Sequence, residues 1–404
     1  MTHNTLNTLR LRLRALTVFR NLQKDPVLSG LMRLLDCIYE QAAEHMAIDA
    51  YAEFVAQLFR SGSESLGVHI QNIVNDDENI YIRMMGRGET PPEAMTRCVA
   101  TELETLQQAA NLTPVQLMAA VGEGLSFLPD FEAASVQLAG EYAHRVQNIG
   151  VYGYGMYARY RMFYINSQNH IVPVKNPDGT RLSGLVDYQR EKQIIVDNTI
   201  ALLEGKPAAN ILLTGDAGTG KSSTVKAVVN ELYDRGLRIL EVRKEQLREI
   251  PAILDELHNN PLKFILFIDD LSFQKGDDNF SALKAILEGS VSAKSGNVVI
   301  YATSNRRHLV KESFSDREGD DIHRNDTMQE IISLSERFGI HITFQKPDKK
   351  TYLDIVHHLA AERGIVMEPA QLELLAERYV LGRGGRSARA ATQFVDGLAS
   401  QQNM

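Results

Sequence analysis

The sequence predicts an α/β fold: a parallel sheet flanked by helices, with a helical N-terminal domain before it and a small helical subdomain after it. Three observations carry this expectation. From about residue 185, short apolar runs alternate with helix-patterned segments. The turn after one of those runs reads Gly215-Asp216-Ala217-Gly218-Thr219-Gly220-Lys221-Ser222, a full match to the phosphate-binding loop G-x-x-x-x-G-K-[ST]. After Pro347 the apolar runs stop and only helical patterns follow.

The whole chain fits a multidomain soluble protein. Its 404 residues exceed a single ordinary core, and 44% hydrophobic with 23% charged residues is a globular composition. A net charge of −8 argues against a surface that grips nucleic acid throughout, although a local basic patch survives such an average. Cys37 and Cys98 are too few for a disulfide framework or a zinc site, so reduced thiols and a cytoplasmic protein are expected. No apolar run approaches membrane-spanning length, and no membrane partner is expected.

Residues 1–150 read as a helical accessory domain. Arg10, Arg12, Arg14, Arg20 and Lys24 occur without an acidic neighbour, as in a transit peptide. Leu9, Leu13 and Leu16 nevertheless share one helical face, and Asp25-Pro26 supplies a stop and a restart, so an ordinary first helix is preferred. Leu28, Leu31, Leu34, Leu35 and Ile38 form the next apolar stripe. Thr90-Pro91 and Thr113-Pro114 read as pairs that open helices.

Residues 151–184 read as an aromatic-rich linker containing Tyr152, Tyr154, Tyr157, Tyr160, Phe163 and Tyr164. Such a cluster could stack on bases, but packing between domains accounts better for a stretch with only Arg159 and Arg161 as nearby cations. Asn176-Pro177-Asp178-Gly179 is a turn signal between Ile171–Val174 and Leu182–Val186, which suggests a small hairpin or an extended connection.

Residues 185–346 then carry the nucleotide-binding core. Strands are expected at 210–214, 238–242, 262–268, 298–303 and 341–344, with helices at 222–235, 244–258 and 278–289. Residues 347–404 form the lid subdomain, with helices at 351–363, 369–379 and 387–400.

The phosphate loop explains its own residue types. Gly215, Gly218 and Gly220 let the backbone curl until successive N–H groups face phosphate oxygens. The helix that follows adds its positive end. Lys221 supplies a point charge for the β- and γ-phosphates, and the Ser222 hydroxyl is a Mg²⁺ ligand. The run Phe264–Ile268 ends in Asp269-Asp270, where ligands bind in such sheets. Asp269 is the expected Mg²⁺ carboxylate, direct or through water, and Asp270 the candidate base or water-positioning group. Asn305 follows another buried run, where its amide could hold the attacking water near the γ-phosphate.

These motifs, with Ser333–Gly339 and the tail Gly384-Gly385-Arg386-Ser387-Ala388-Arg389, resemble the AAA+ ATPases. Within them the strings GTGKSS, DDLSF, YATSNRRHL and LS-x-RFG are similar to a bacterial family of AAA+-type ATP-binding proteins of uncharacterised function. The resemblance covers about residues 185–400. It implies Walker A from Gly215 to Ser222 with Ser223 beside it, Walker B at Asp269 and Asp270, and sensor 1 at Asn305. It implies an arginine finger at Arg337 reaching a neighbour's ATP, and a lid arginine at Arg389 with Arg386 as fallback. Leu185-Val186-Asp187-Tyr188 resembles the segment that contacts adenine. ATP, Mg²⁺ and self-association follow, with a protein partner recruited through the helical N-terminal domain.

Two departures shape the functional expectation. Most AAA+ members carry Glu where this chain has Asp270, one methylene shorter, which suits slow hydrolysis or a nucleotide switch. After Val242 the chain reads Arg243-Lys244-Glu245-Gln246-Leu247-Arg248, without the aromatic and glycine of a threading loop, so a polypeptide-threading motor is disfavoured. A nucleic-acid loader is the second expectation, motivated by Arg306-Arg307-His308, the basic first helix and the tyrosines. The acidic loop within Lys311–Glu330 reads as solvated rather than as a metal site.

Overall fold

A computed structural model describes residues 3–273, 278–288, 296–305, 336–382 and 385–402. The chain divides into two compact units, Met1–Arg159 and Tyr160–Met404.

The first unit is helical from His3 to Arg159, around one apolar core. Leu9, Leu13 and Leu16 are all buried in it, as are Leu28, Leu31, Leu34, Leu35 and Ile38. Asp25 caps helix Pro26–Tyr39, accepting from the N–H groups of Val27 and Leu28 at 3.0 Å each. Thr113 and Gln116 form a reciprocal capping box on helix Pro114–Val121. Thr90-Pro91 does not open a helix. Helix Glu93–Ala110 begins two residues later, after Pro92. A residue that precedes proline is disfavoured in helical geometry, so Pro91 before Pro92 stays extended. Glu102, buried on that helix, accepts from the backbone N–H of Thr17, Val18 and Phe19 and pins the end of the first helix.

The second unit is built on a seven-stranded sheet. Its strands are β1 (Met162–Ile165), β2 (Ile171–Pro173), β3 (Ile211–Gly215), β4 (Leu237–Glu241), β5 (Lys263–Ile268), β6 (Val298–Ser304) and β7 (Ile340–Phe344). The order is β2-β1-β4-β5-β6-β3-β7, and every pair is parallel except β1 with β2. The fold class is therefore the expected α/β one, a mostly parallel sheet flanked by helices with a small helical subdomain after it. Alternate residues of each strand face one core: Ile211 and Leu213, Ile265 and Phe267, Val299 and Tyr301 pack with Val225, Val228 and Val229 of helix Lys221–Leu232 and Ile195 of helix Gln189–Leu203. The intervening residues Leu212, Phe264, Leu266, Ile268 and Ala302 are also buried, as a sheet covered on both faces requires.

The stretch taken as a linker contributes to this sheet. β1 pairs with β4 in parallel, and its turn to β2 is tied by Asn166, whose side chain accepts from the N–H groups of Gln168 and His170. The hairpin thus lies at 162–173 and not around Asn176–Gly179. The latter turn is instead fastened to helix Lys221–Leu232 by buried Asn230, which donates to the carbonyls of Asp178 and Thr180. The segment expected as one helix over 244–258 is a 3-10 turn, Lys244–Glu249, followed by helix Ile250–His258. Pro251 lacks an N–H and would break a helix interior, so it sits in the first turn of a new one. Helices Lys349–Glu362, Pro369–Leu381 and Ala388–Gln402 form the C-terminal subdomain around Tyr352, Val356, Ala376 and Val395. Among the described residues no helix is long and apolar enough to cross a membrane.

Candidate nucleotide site

The predicted phosphate loop lies at the C-terminal end of β3, between the ends of β6 and β7. Gly215, Gly218 and Gly220 have φ of 140°, 79° and 91°. At Gly215 the residue must be glycine, because a Cβ would stand 2.1 Å from the Phe344 carbonyl oxygen of β7. Helix Lys221–Leu232 starts directly after the loop.

Five side chains, from the ends of β5 and β6 and the start of that helix, meet here. Lys221 is only 5% exposed, and its ammonium donates to the carbonyls of Gly215 (2.9 Å) and Asp216 (2.8 Å) and to Oδ1 of Asn305 (3.0 Å). Burial holds its pKa below the usual lysine range, while Asp269, Asp216 and Asp270 oppose that shift. Asn305 donates from Nδ2 to Asp270 Oδ1 at 2.7 Å, so its amide bridges the lysine and the carboxylate with both ends assigned by their partners. Ser222 Oγ donates to Asp269 Oδ1 at 2.6 Å.

Thr303, which sequence reasoning did not single out, completes the arrangement. Its hydroxyl donates to Asp269 Oδ1 at 2.5 Å and accepts from the Asp270 N–H at 2.9 Å. Asp270 adopts φ of 52°, a left-handed conformation that aspartate tolerates better than most side chains. Three donors, from Ser222, Thr303 and the Asp270 N–H, converge on one oxygen of Asp269.

An open cavity of about 580 Å³ joins these groups. It is lined by Ala217, Gly218, Lys221, Ser222, Ser223, Asp269, Asp270, Thr303 and Asn305, and on the lid side by Arg389. The lid closes on the loop through backbone: the Arg389 N–H donates to the Gly218 carbonyl at 3.2 Å. Arg386 is committed elsewhere, donating from Nε and Nη2 to Glu377 at 2.9 and 2.6 Å, a pairing that lowers the Glu377 pKa and raises that of Arg386. Of the two lid arginines, Arg389 is the one beside the phosphate loop.

A second, narrower slot of about 70 Å³ adjoins the first and shares Leu185, Gly220, Ala388 and Thr392 with it. Tyr188 and Thr219 line it too. Tyr188 hydrogen-bonds to the Gln345 carbonyl, packs on Phe344 at 4.8 Å between ring centroids, and is pushed up to about 12 by burial. The segment 182–188 bridges two cores, with Leu182 and Tyr188 against the sheet and Val186 against the lid.

The donor set fits Mg²⁺–nucleotide. A hydroxyl, a carboxylate and phosphate oxygens are the hard oxygen ligands this cation takes, and the glycine curl presents N–H groups ahead of a helix N-terminus. Among the described residues no group of three or more His, Cys, Asp or Glu could hold a metal ion unaided.

Other expected features lie apart. Arg337 does not line either cavity; it forms a two-nitrogen pair with Glu288 at the end of helix Asp278–Glu288. In the first unit Arg10 and Arg14 are engaged by Asp36, and Arg20 by the carbonyls of Arg14 and Leu16, so the basic helix offers less free charge than its sequence suggests. Tyr154, Tyr157 and Phe163 are buried, which removes them as a stacking platform. Arg306-Arg307-His308 and the acidic loop 311–330 lie outside the described residues.

A family model, described as a protein of unknown function, DUF815, matches residues 157–402. No curated protein matches the chain in sequence. Solved structures similar to it include the Thermotoga maritima RuvB Holliday junction branch migration motor, at 17% identity and a TM-score of 0.35, over 54% of this chain and 63% of that one. The chain thus spans less than two thirds of the RuvB structure. The FIGL-1 AAA domain in complex with ADP is 16% identical over 56% of this chain and 74% of its own, with a TM-score of 0.38. The E. coli MS115-1 HORMA:CdnC:Trip13 complex contains a chain 13% identical over 55% and 93%, with a TM-score of 0.37.

Proposed function

The chain belongs to the DUF815 family, and from the geometry of its phosphate loop we propose that it is an AAA+-type ATPase that binds ATP–Mg²⁺ and hydrolyses it slowly. The observation that supports this most directly is the continuous network Lys221–Asn305–Asp270 beside the Ser222–Asp269–Thr303 cluster in one cavity.

Each residue has a task in this reading. Lys221 exchanges the carbonyls of Gly215 and Asp216 and Oδ1 of Asn305 for phosphate oxygens. The freed Asn305 Oδ1 then orients the attacking water while Nδ2 keeps Asp270 in place. Asp270 accepts the proton of that water. Ser222 and Asp269 would hold Mg²⁺, and a bound Mg²⁺ would supply compensation for the charge on the phosphates. Arg389 reaches the same phosphates from the lid as a permanently charged fork.

Arg337 acts on a neighbouring subunit's site, so the working form is a homo-oligomer, and it must first leave Glu288. An arginine placed this way contributes about 10³–10⁵ in rate. The helical first unit recruits the protein on which the ATPase acts, and the site works in the cytoplasm.

Phosphate release per subunit, measured against protein concentration with Mg²⁺ and saturating ATP, tests the proposal. The rate should climb with concentration and vanish in Lys221→Ala. Turnover and ATP binding that survive in Lys221→Ala would refute the loop assignment. A second reading, a nucleotide-dependent switch with little turnover, is favoured by one observation: the short Asp270 carboxylate is already engaged by Asn305. Tight ATP binding without phosphate release at any concentration would select it.

A further inference from the structure

Helix Pro114–Val121 of the first unit is apolar on every side. Its single polar side chain, Gln116, is engaged by the capping box at the helix's own N-terminus. Leu117 is buried in the core, whereas Val115 is 76% exposed and Ala119, one turn on, is exposed too. A helix without a polar face is ordinarily covered on all sides. Phe127, 69% exposed, follows shortly after it. The charge around this stripe is one-sided, because no Lys or Arg lies between Arg97 and Arg145. Glu44 and Glu123 are exposed at the C-terminal end of the helix, Glu44 so close that a Cβ on Gly122 would stand 3.0 Å from its Oε1. Neither carboxylate forms an ion pair with a described residue. A helix C-terminus is the negative end of its dipole, so the place that favours a cation holds two anions.

A complementary stripe stands on helix His3–Arg14 of the same unit. Leu11 is 53% exposed among arginines, and Ala15, whose N–H returns to the Leu11 carbonyl at 3.1 Å, lies one turn further on the same side and is exposed. Arg10 and Arg14 are engaged by Asp36, but Arg12 is exposed and forms no ion pair with a described residue. We propose that a second copy of this chain covers helix Pro114–Val121 with its helix His3–Arg14. Each stripe pairs a large side chain with an alanine four residues on. Antiparallel helices can therefore lay Leu11 on Ala119 and Val115 on Ala15, ridge into groove. In that alignment Arg12, leaning toward the N-terminus of its helix, reaches toward Glu44 and Glu123 and supplies the cation that the helix end lacks. The contact joins an acidic face of one copy to a basic face of another. It is separate from the Arg337 contact, needs no nucleotide, and stands whether or not the ATPase reading holds.

The test is sedimentation velocity of the full Arg337→Ala chain without nucleotide, over a range of concentrations and at low and high salt. The Arg337 substitution removes the contact proposed for the nucleotide site. The mass should rise with concentration, and the association should weaken as salt rises. Leu11→Glu and Ala119→Lys, both at exposed helical positions, should each weaken association about 10–100-fold, the scale of one lost apolar burial. Thermal midpoints check that both variants fold, and if one does not, the salt dependence of the parent still decides. An equimolar mixture of the two variants should associate again, because one intact stripe of each kind remains. A chain that stays monomeric at every concentration overturns the inference and leaves the stripe to a basic helix of a different protein. So does association that salt does not weaken, folded variants that associate like their parent, or a mixture no better than either variant alone. Association seen only with Arg337 intact and ATP present would also overturn it, while leaving the ATPase reading in place. A chain that fails to bind ATP yet associates in this pattern would remove the ATPase reading and keep this inference.

Discussion

Replacing Thr303 by valine separates the hydroxyl's contribution from that of its volume. The side chain is 2% exposed, and its oxygen both donates to Asp269 and accepts from the Asp270 N–H. A hydrogen bond to a charged group contributes about 1.5–3 kcal/mol. The Asp270 N–H keeps Asp269 Oδ1 at 3.2 Å as a second acceptor, so its loss is partial. Valine recovers some of this by burying a methyl group. The net cost should be about 2 kcal/mol, which for a unit of this size lowers the unfolding midpoint by roughly 4–8 °C. Among the described residues Asp269 would then accept from the side chain of Ser222 alone, and the apparent affinity for Mg²⁺ in ATP turnover should fall about 10–100-fold. Thermal unfolding and a Mg²⁺ titration of phosphate release read the two effects. Thr303→Ser keeps the hydroxyl and should retain wild-type Mg²⁺ dependence despite the lost methyl. A valine variant with unchanged midpoint and unchanged Mg²⁺ dependence would refute the reasoning, and so would a serine variant that behaves like valine.

Three further outcomes are expected. Asn305→Ala should retain ATP binding in a titration while phosphate release falls about 10²–10³-fold, the scale for removing one preorganised polar group. Gly218→Ala and Gly220→Ala both place a side chain at positive φ, at about 1–2 kcal/mol, but only at Gly218 would the Cβ meet Arg389 Cβ at 3.0 Å and Ser387 Oγ at 3.3 Å, so Gly218→Ala should weaken ATP binding beyond Gly220→Ala. In the first unit burial pushes Asp77 up to about 6 from 3.8; the folded state then binds more protons than the unfolded one between these values, and stability falls as pH rises through that window. Asp77→Asn should raise the melting temperature at pH 7.5, by at most about 3 kcal/mol of stability, and flatten the profile between pH 4 and 6.

The parts of this structure that were legible are those in which chemistry is local. The phosphate loop, the apolar runs of β3 to β7, and the caps at Asp25 and Thr113 each depend on neighbours in sequence. Thr303 was missed because its contacts come from another element: it meets Asp269 and Asp270 only because β6 lies beside β5. The β1 strand was missed for a related reason. Four residues, Met162–Ile165, are too few for periodicity to speak, and the stronger turn signal at Asn176–Gly179 drew attention away from Asn166. Pro251, by contrast, was legible in principle, since its helix-breaking effect is intrinsic.

That short strand decides where the second unit can be cut. Three consecutive positions of β4, Ile239 to Glu241, are partnered by Met162 to Tyr164, and Gln246 after β4 donates to the carbonyls of Ile165 and Asn166. A fragment beginning at residue 185, where the alternating pattern starts, would keep every motif residue of the phosphate loop and yet leave one side of β4 bare. Unpaired backbone on an apolar strand invites another chain to complete it. Material prepared from such a fragment should precipitate or associate through this side, and its self-association would mimic a functional oligomer. A fragment beginning near 157, where the family match also begins, retains the partner strand and should not associate through an open sheet.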